Sequence, residues 1–503
     1  SDTRLLFSIL ELGKFELLGA LRGMFAFAYW DSESGVVIAG RDRYGIKPLF
    51  ALHHKTGGLS LASEPAVLMR HPDGRQVDPL GMVHFLAEGH VGQTRTLLQQ
   101  VQKIPPGSIR RWRVNAEGNA TELRGIDLPG GSWREMDLTT ALADSVRAHL
   151  VADVDVGVFL SGGVDSTTLA AMATEHQPGL HAFTLSFPES PHLDEAHFAR
   201  RNAESLGLHH HVIRADYESM SVVASELIAR TAEPLGDASV LPLSLLARNA
   251  RDYVPVVLGG EGADEMLGGY RRYSIERFVR AGPTLLPEVL VNAFARARTP
   301  SNVLRTIEAM MWARKRQFRA HSALLLGEFA VLAQVAPELT TSALREREGF
   351  WAQLPGKPAT RPIQYDRRLW LPNTYLEKSD RATMLWGLEC RVPFLDPVVE
   401  SSVSTDLLQG QGKQHLRCYL ADKYPNLTLP QVKRGLTLDL RRLLDAGLRP
   451  QLEHALSRRD GIIARTLGHA AVEPLRARAL RAPGLAYRIA QLGLWDITWH
   501  PTQ

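Results

Sequence analysis

Apolar and polar positions along this chain change their period twice. In the first sixty or so residues, a helix-like opening gives way to alternation: Phe25, Phe27 and Tyr29 interleave with Ala26, Ala28 and Trp30. Asp31 to Gly35 supplies a turn and Val36 to Ala39 a return strand, so an antiparallel hairpin is predicted. A further stretch bounded by turns runs to Ile104-Pro105-Pro106-Gly107, and Leu128-Pro129-Gly130-Gly131-Ser132 has the composition of a linker. Beyond it, short apolar runs alternate with helical patterning, which predicts a parallel sheet covered on both faces. Its candidate strands are Val156 to Leu160, His181 to Phe187, His210 to Ile213 and Val254 to Leu258. From about residue 275 onward the pattern is mostly helical. The domain organisation expected is therefore 1–127, a linker at 128–135, and 136–503.

Two of those strands end in loops that carry chemistry. Val156 to Leu160 runs into Ser161-Gly162-Gly163-Val164-Asp165-Ser166 and then a helical segment. A glycine pair lets the backbone wrap an anion, while free N–H groups and the positive end of the following helix stabilise its charge. The loop lacks the lysine of G-x-x-x-x-G-K-[ST], so it is not a Walker loop. It matches SGGxDS, the pyrophosphate loop of enzymes that cut ATP between its α and β phosphates. A glycine-rich turn alone is often only a turn; six residues matching after an apolar strand point to function. The second strand leads into Gly259-Gly260-Glu261-Gly262-Ala263-Asp264. Residues after the carboxyl ends of adjacent parallel strands face one crevice, so Asp165 and Asp264 are expected to converge there. Paired carboxylates beside phosphates suit Mg²⁺, a hard cation that takes oxygen ligands; a lone aspartate would more often cap a helix.

Composition narrows the class. With 45% hydrophobic and 22% charged residues, the chain has enough apolar material for large cores, and its 503 residues exceed one ordinary core. The net charge of +4 is small for this length, and runs such as Arg314-Lys315-Arg316 and Arg476 to Arg481 are read as solvated helix faces, so no nucleic acid is expected as a partner. Only Cys390 and Cys418 occur, which excludes a disulfide framework and a cysteine metal cluster; both are read as core thiols. His209-His210-His211 is not read as a metal cluster, because successive strand residues face opposite ways. No apolar run is long enough to span a bilayer and no signal-peptide pattern opens the chain, so a cytoplasmic enzyme without a membrane partner is expected.

The motifs together resemble the glutamine-dependent asparagine synthetases. That family carries SGGxDS, then SGEGADExFGGY, then a segment like DRASMAHGLEARVPFLD, then KRGF. Here the third is Asp380 to Asp396 and the fourth Lys433-Arg434-Gly435-Leu436. Arg22 to Phe27, Arg41 to Leu49 and Ala62-Ser63-Glu64 look like the family's glutamine amidotransferase domain. The resemblance covers nearly the whole chain and thins after about residue 440. Three positions depart from the pattern: Gly259 stands for serine, Cys390 for alanine and Leu436 for phenylalanine. The first is expected to loosen contacts to ATP, and the others to alter packing. The family's amino-terminal nucleophilic cysteine has no counterpart here, and the chain opens at Ser1-Asp2 without a methionine. A fragment is expected, with Asp2 in the glutamine-binding turn, and use of ammonium but not glutamine.

The resemblance implies a fold and a reaction. The fold is α/β: a partial antiparallel β-rich amidotransferase segment of the Ntn type, then a doubly wound parallel-sheet ATP-pyrophosphatase domain with a helical carboxy-terminal part. The reaction converts aspartate to asparagine through an aspartyl adenylate, with ATP as co-substrate and ammonia normally drawn from glutamine. Leu160, Ser161, Gly162, Gly163, Asp165, Ser166, Gly260, Glu261 and Asp264 would hold ATP, with Asp165 and Asp264 on Mg²⁺. Lys433 would meet developing negative charge. Glu261 would accept the proton of attacking ammonia; related β-lactam synthetases carry a tyrosine in this place, so the glutamate favours an external nitrogen donor. A homodimer is retained as a candidate assembly. The alternatives weighed are an amidotransferase or cyclase acting on a sugar uronate or a peptide, an RNA-modifying pyrophosphatase, and an inactive scaffold.

Overall fold

The computed structural model describes residues 2–92, 94–131, 133, 135–270, 273, 328–356, 360–404, 412–430 and 436–500. Lys433 and the basic run at 314–316 lie outside the described residues.

The opening helix spans Asp2–Glu11. Seven strands follow: β1 (Ala26–Asp31), β2 (Val36–Arg41), β3 (Phe50–His53), β4 (Leu59–Ala62), β5 (Val101–Lys103), β6 (Ser108–Val114) and β7 (Ala120–Asp127). They form two antiparallel sheets, in the orders β1-β2-β6-β7 and β4-β3-β5. The predicted hairpin is β1–β2, with Phe27 opposite Gly40 and Asp31 opposite Val36.

Five more strands, β8 (Val156–Phe159), β9 (His181–Ser186), β10 (His209–Arg214), β11 (Val256–Leu258) and β12 (Glu389–Arg391), make one sheet in the order β10-β9-β8-β11-β12. Every pairing in it is parallel. The four expected strands are β8 to β11, and β11 is shorter than expected. The fifth was not expected: β12 lies inside the third motif, within the stretch assigned as helical. Three residues are too few to show a period of their own. The strand order reverses between β8 and β11, so the crevice beyond their carboxyl ends is where a ligand fits such a sheet. Buried Val156, Val158, Val256, Val257 and Leu258 make this centre of the sheet an apolar run that helices cover on both faces.

The remaining described residues are mostly helical and close the molecule with Pro483–Trp499, whose Trp495 and Tyr487 are fully buried. The first segment docks on the second through residues of its motifs and through Lys103. Asp42 accepts backbone N–H bonds from Tyr44, Ile46 and Lys47 and shapes that loop. The loop then presents Tyr44 to Glu400 at 2.7 Å and Lys47 to Asp380 at 3.0 Å. Arg22 forks onto Asp396 and also meets Asp144, and Lys103 meets Glu377 at 2.8 Å. Beside this seam, burial pushes the Glu64 carboxyl up to about 7: Arg381 opposes the shift, while Asp380, Glu377 and Glu233 add to it.

Of the two cysteines, Cys390 is buried but Cys418 is exposed. The helix Gly412–Lys423 buries Gly412, Leu416 and Leu420, and Cys418 falls on the other face. The three histidines of β10 do not gather on one ion: His210 turns to Thr184, and His211 to His181. Among the described residues no helix is long and apolar enough to cross a membrane.

Candidate active site

The crevice at the strand-order reversal is a cleft lined by Leu160, Ser161, Gly163, Asp165, Ser166, Gly260 and Glu261, all expected from the sequence. Its floor is the loop between β8 and the helix Val164–Thr174, with Gly163 as N-cap and no side chain capping the first N–H groups. The loop is tied to itself. Ser161 N–H donates to Ser166 Oγ at 3.1 Å, the two serine hydroxyls meet at 2.9 Å, and Gly163 N–H reaches Ser161 Oγ at 3.3 Å. The uncapped helix end faces the cleft as a ready anion site.

The two glycines of the loop have different duties. Gly162 does not line the cleft. It sits at φ +78°, and a Cβ there would lie 2.8 Å from Ala199 N and Phe198 Cβ, so its role is to let the loop pack on the neighbouring helix. Gly163 has ordinary backbone angles, and a Cβ would meet only Ser161 Oγ, at 3.3 Å. It is the glycine that lines the cleft.

Asp165 and Asp264 do converge, and what they converge on was not foreseen. Lys413 Nζ pairs with Asp165 Oδ1 and lies 3.2 Å from Asp264 Oδ1. Gly269, in the second motif, leaves room for this group: a Cβ there would fall 2.6 Å from Lys413 Cε. The carboxylates thus form a common oxygen-rich point at the edge of the phosphate loop. That donor set fits Mg²⁺, with Lys413 as the cation the protein itself brings there. No pattern in Gly412-Lys413-Gln414 announces this lysine.

Glu261 lines the same cleft as the loop. Its Oε1 accepts from Ser379 Oγ at 3.3 Å, and its Oε2 is buried with no hydrogen-bond partner among the described residues. A buried, half-satisfied carboxylate costs free energy unless something arrives to donate to it. Two of the three departures noted in the sequence, Gly259 and Cys390, meet here. A Cβ at Gly259 would lie 2.3 Å from Glu261 Oε2 and 2.7 Å from Cys390 Sγ. The sulfur and the carboxylate share the space that a serine at 259 would enter, so Gly259 and Cys390 are sterically coupled. Burial first, and the Glu261 charge second, push the Cys390 thiol up, which keeps it neutral.

The remaining wall is apolar: Phe183, Leu185, Leu243 and Leu246 line it, and Leu436 and Arg417 stand at the same cleft. Of these only Leu436 drew notice in the sequence. Phe183, Leu185, Leu243 and Leu246 look like ordinary apolar positions of strands and helices, and Arg417 carries no motif. Asp2 is exposed in the first turn of the opening helix and does not line the cleft.

Comparison with known proteins agrees with this architecture. Residues 137–499 match the asparagine synthase family, and residues 1–122 match the glutamine amidotransferase domain. A Mycobacterium tuberculosis protein provisionally named a glutamine-hydrolysing asparagine synthetase is 32% identical over 86% of this chain and 69% of its own length. Asparagine synthetase 1 of Bacillus subtilis is 28% identical over 88% of the chain and 72% of its own. A fungal protein, amidase chry2 of Gibberella zeae, is 29% identical over 54% of the chain and 43% of its own. With a family match over most of its length and a cleft built from that family's motifs, the chain belongs to the asparagine synthase family and is an ATP-dependent amidotransferase of the ligase class.

Proposed function

We propose that this enzyme converts aspartate to asparagine through an aspartyl adenylate, with ammonia as the attacking nitrogen, normally drawn from glutamine. The observation that carries this reading is Glu261, a carboxylate with a buried, unpartnered oxygen in the same cleft as the uncapped loop. A carboxylate and ammonia do not condense at neutral pH, because oxide is too poor a leaving group. Adenylation answers this: a carboxylate oxygen of aspartate attacks the α-phosphorus, the bond to the β-phosphate breaks, and pyrophosphate leaves. Ammonia then adds to the acyl carbon, AMP departs, and the nitrogen gives up a proton to Glu261 Oε2.

The residues divide the work. The apolar wall of Phe183, Leu185, Leu243 and Leu246 takes the adenine, and Ser161, Gly163, Ser166 and the helix end take the pyrophosphate. Asp165 and Asp264 would hold Mg²⁺, which supplies charge neutralisation at the phosphates. Lys413 and, from the resemblance, Lys433 add positive charge. Asp2 would contact the amino group of glutamine, 1–127 forming the amidotransferase part and 136–503 the synthetase part. A cytoplasmic homodimer that binds no nucleic acid completes the proposal.

A second reading keeps the chemistry and changes the acceptor to a sugar uronate or a peptide carboxylate. The sterically coupled pair Gly259 and Cys390, beside Glu261, favours keeping it, as does kinship with a protein named an amidase. Pyrophosphate exchange into ATP, measured against aspartate and a panel of other carboxylates, decides between the two. Aspartate is expected to support exchange best; exchange with another carboxylate alone would overturn the assignment.

A further inference from the structure

On the far segment, away from the ATP cleft, two imidazoles and a carboxylate face one another. His54 follows β3 at the tip of the β3–β4 hairpin, while His71 and Asp73 belong to the short helical turn Pro72–Arg75 and its cap. His54 Nδ1 and His71 Nδ1 are 3.3 Å apart, and Asp73 Oδ2 lies 4.0 Å and 3.8 Å from them. We propose that His54, His71 and Asp73 are a binding site for a divalent transition metal of the zinc class, which pins the hairpin to the turn.

Distance, donor type and hydrogen bonding all support this. A Zn–N bond of about 2.05 Å with tetrahedral angles requires ligand atoms about 3.35 Å apart. The imidazole pair already has that spacing, and the carboxylate has to close by only about half an ångström to complete the tripod. Two imidazole nitrogens with one carboxylate select zinc-class metals over Mg²⁺ or Ca²⁺, which take oxygen. A fourth position stays open to water on the side of His71, the most exposed of the three.

The hydrogen bonds around the site are poorly resolved without a cation. Asp73 N–H donates to His71 Nδ1 in a long bond of 3.2 Å, so that nitrogen carries its single lone pair. His54 Nε2 meets Ser60 Oγ at 2.8 Å. With His54 protonated at Nε2, its Nδ1 lone pair opposes that of His71; with the other tautomer, two donors compete for one lone pair. A metal takes both lone pairs and releases only the long Asp73 bond. Ser60 then orients His54 as an outer-shell partner, and Lys55 N–H, 2.9 Å from Asp73 Oδ2, steadies the carboxylate.

The experiment is equilibrium dialysis of the untagged chain against Zn²⁺, with Mg²⁺ in parallel, followed by metal analysis and by Co²⁺ absorption. One Zn²⁺ per chain is expected at this site, with a tetrahedral-intensity Co²⁺ spectrum, and any Mg²⁺ retained at Asp165 and Asp264 should be the same in the site variants as in the parent chain. Zn²⁺ affinity should fall at least tenfold in His71→Gln, chosen because this exposed side chain is tolerant, and in Asp73→Asn. His211→Ala, which removes a different histidine pair, should change nothing. Pyrophosphate exchange should be unaffected by the first two substitutions, which shows that the variants are folded. Failure to bind Zn²⁺, or Zn²⁺ lost through His211→Ala and kept in His71→Gln, would overturn the proposal.

Discussion

Replacing Gly259 by serine, the residue the family motif carries, should damage this enzyme although it restores the consensus. The built Cβ lies 2.3 Å from Glu261 Oε2 and 2.7 Å from Cys390 Sγ, against ordinary contact distances near 3.5 Å, so the carboxylate has to move by about 1 Å. A displacement of that size at a reacting group costs about 100-fold in rate, or about 2.7 kcal/mol of barrier. The loss should fall on the step that uses Glu261: amide formation drops about 100-fold while pyrophosphate exchange changes by less than about tenfold. Cys390→Ala opens the space the sulfur occupies and lets the carboxylate swing back. The double variant Gly259→Ser/Cys390→Ala should therefore recover at least about tenfold over Gly259→Ser, a coupling of about 1.4 kcal/mol, as expected for residues in contact. Both rates are read in one preparation with saturating ammonium. Additive losses would refute the linkage of the two positions, and equal loss of both half-reactions would refute the role given to Glu261.

Glu261→Ala should itself spare pyrophosphate exchange while reducing amide formation by about 10² to 10⁴-fold, the range of general-base catalysis; equal losses in the two assays would make it a binding residue. Gly163→Val should weaken ATP binding, read by calorimetry, with little change in melting temperature, whereas Gly162→Val should lower the melting temperature because of its positive φ and its contact with Phe198; unchanged ATP affinity in Gly163→Val would remove it from the cradle. Asp165→Asn and Asp264→Asn should each raise the Mg²⁺ concentration needed for half-maximal exchange, and an unaltered Mg²⁺ titration in both would leave them a purely structural role beside Lys413. For Glu64, a folded-state value of about 7 against an ordinary 4.5 means the folded protein holds the proton more tightly. Stability should then fall as pH rises from about 4.5 through 7, and Glu64→Gln should flatten that slope and raise the melting temperature at pH 8 but not at pH 4.5.

What is local in the chain is legible from the residues alone. A strand, its loop and the helix after it are contiguous, so Val156 to Thr174 shows its apolar run, its glycines and its helix start to any reader of the residues. The second loop, Gly259 to Asp264, is legible for the same reason. Parallel-sheet geometry then predicts that the two loops share a crevice, which they do.

The rest emerges only on folding, because the contacts that matter join residues far apart in sequence. Lys413 meets an aspartate 248 positions away and carries no local signature. Ser379 reaches Glu261 across 118 positions, and β12 is too short to show a period until β11 pairs with it. Lys47 and Lys103 dock the first segment through partners 333 and 274 positions distant, a use that neither the motif around Lys47 nor the residues around Lys103 declare. Cys418 was placed in the core by its residue type, yet the helix period turned it outward. Most telling is the pair Gly259 and Cys390: each reads as a mild, separate departure along the chain, and only folding brings them against one carboxylate, where two bodies cannot occupy the same volume.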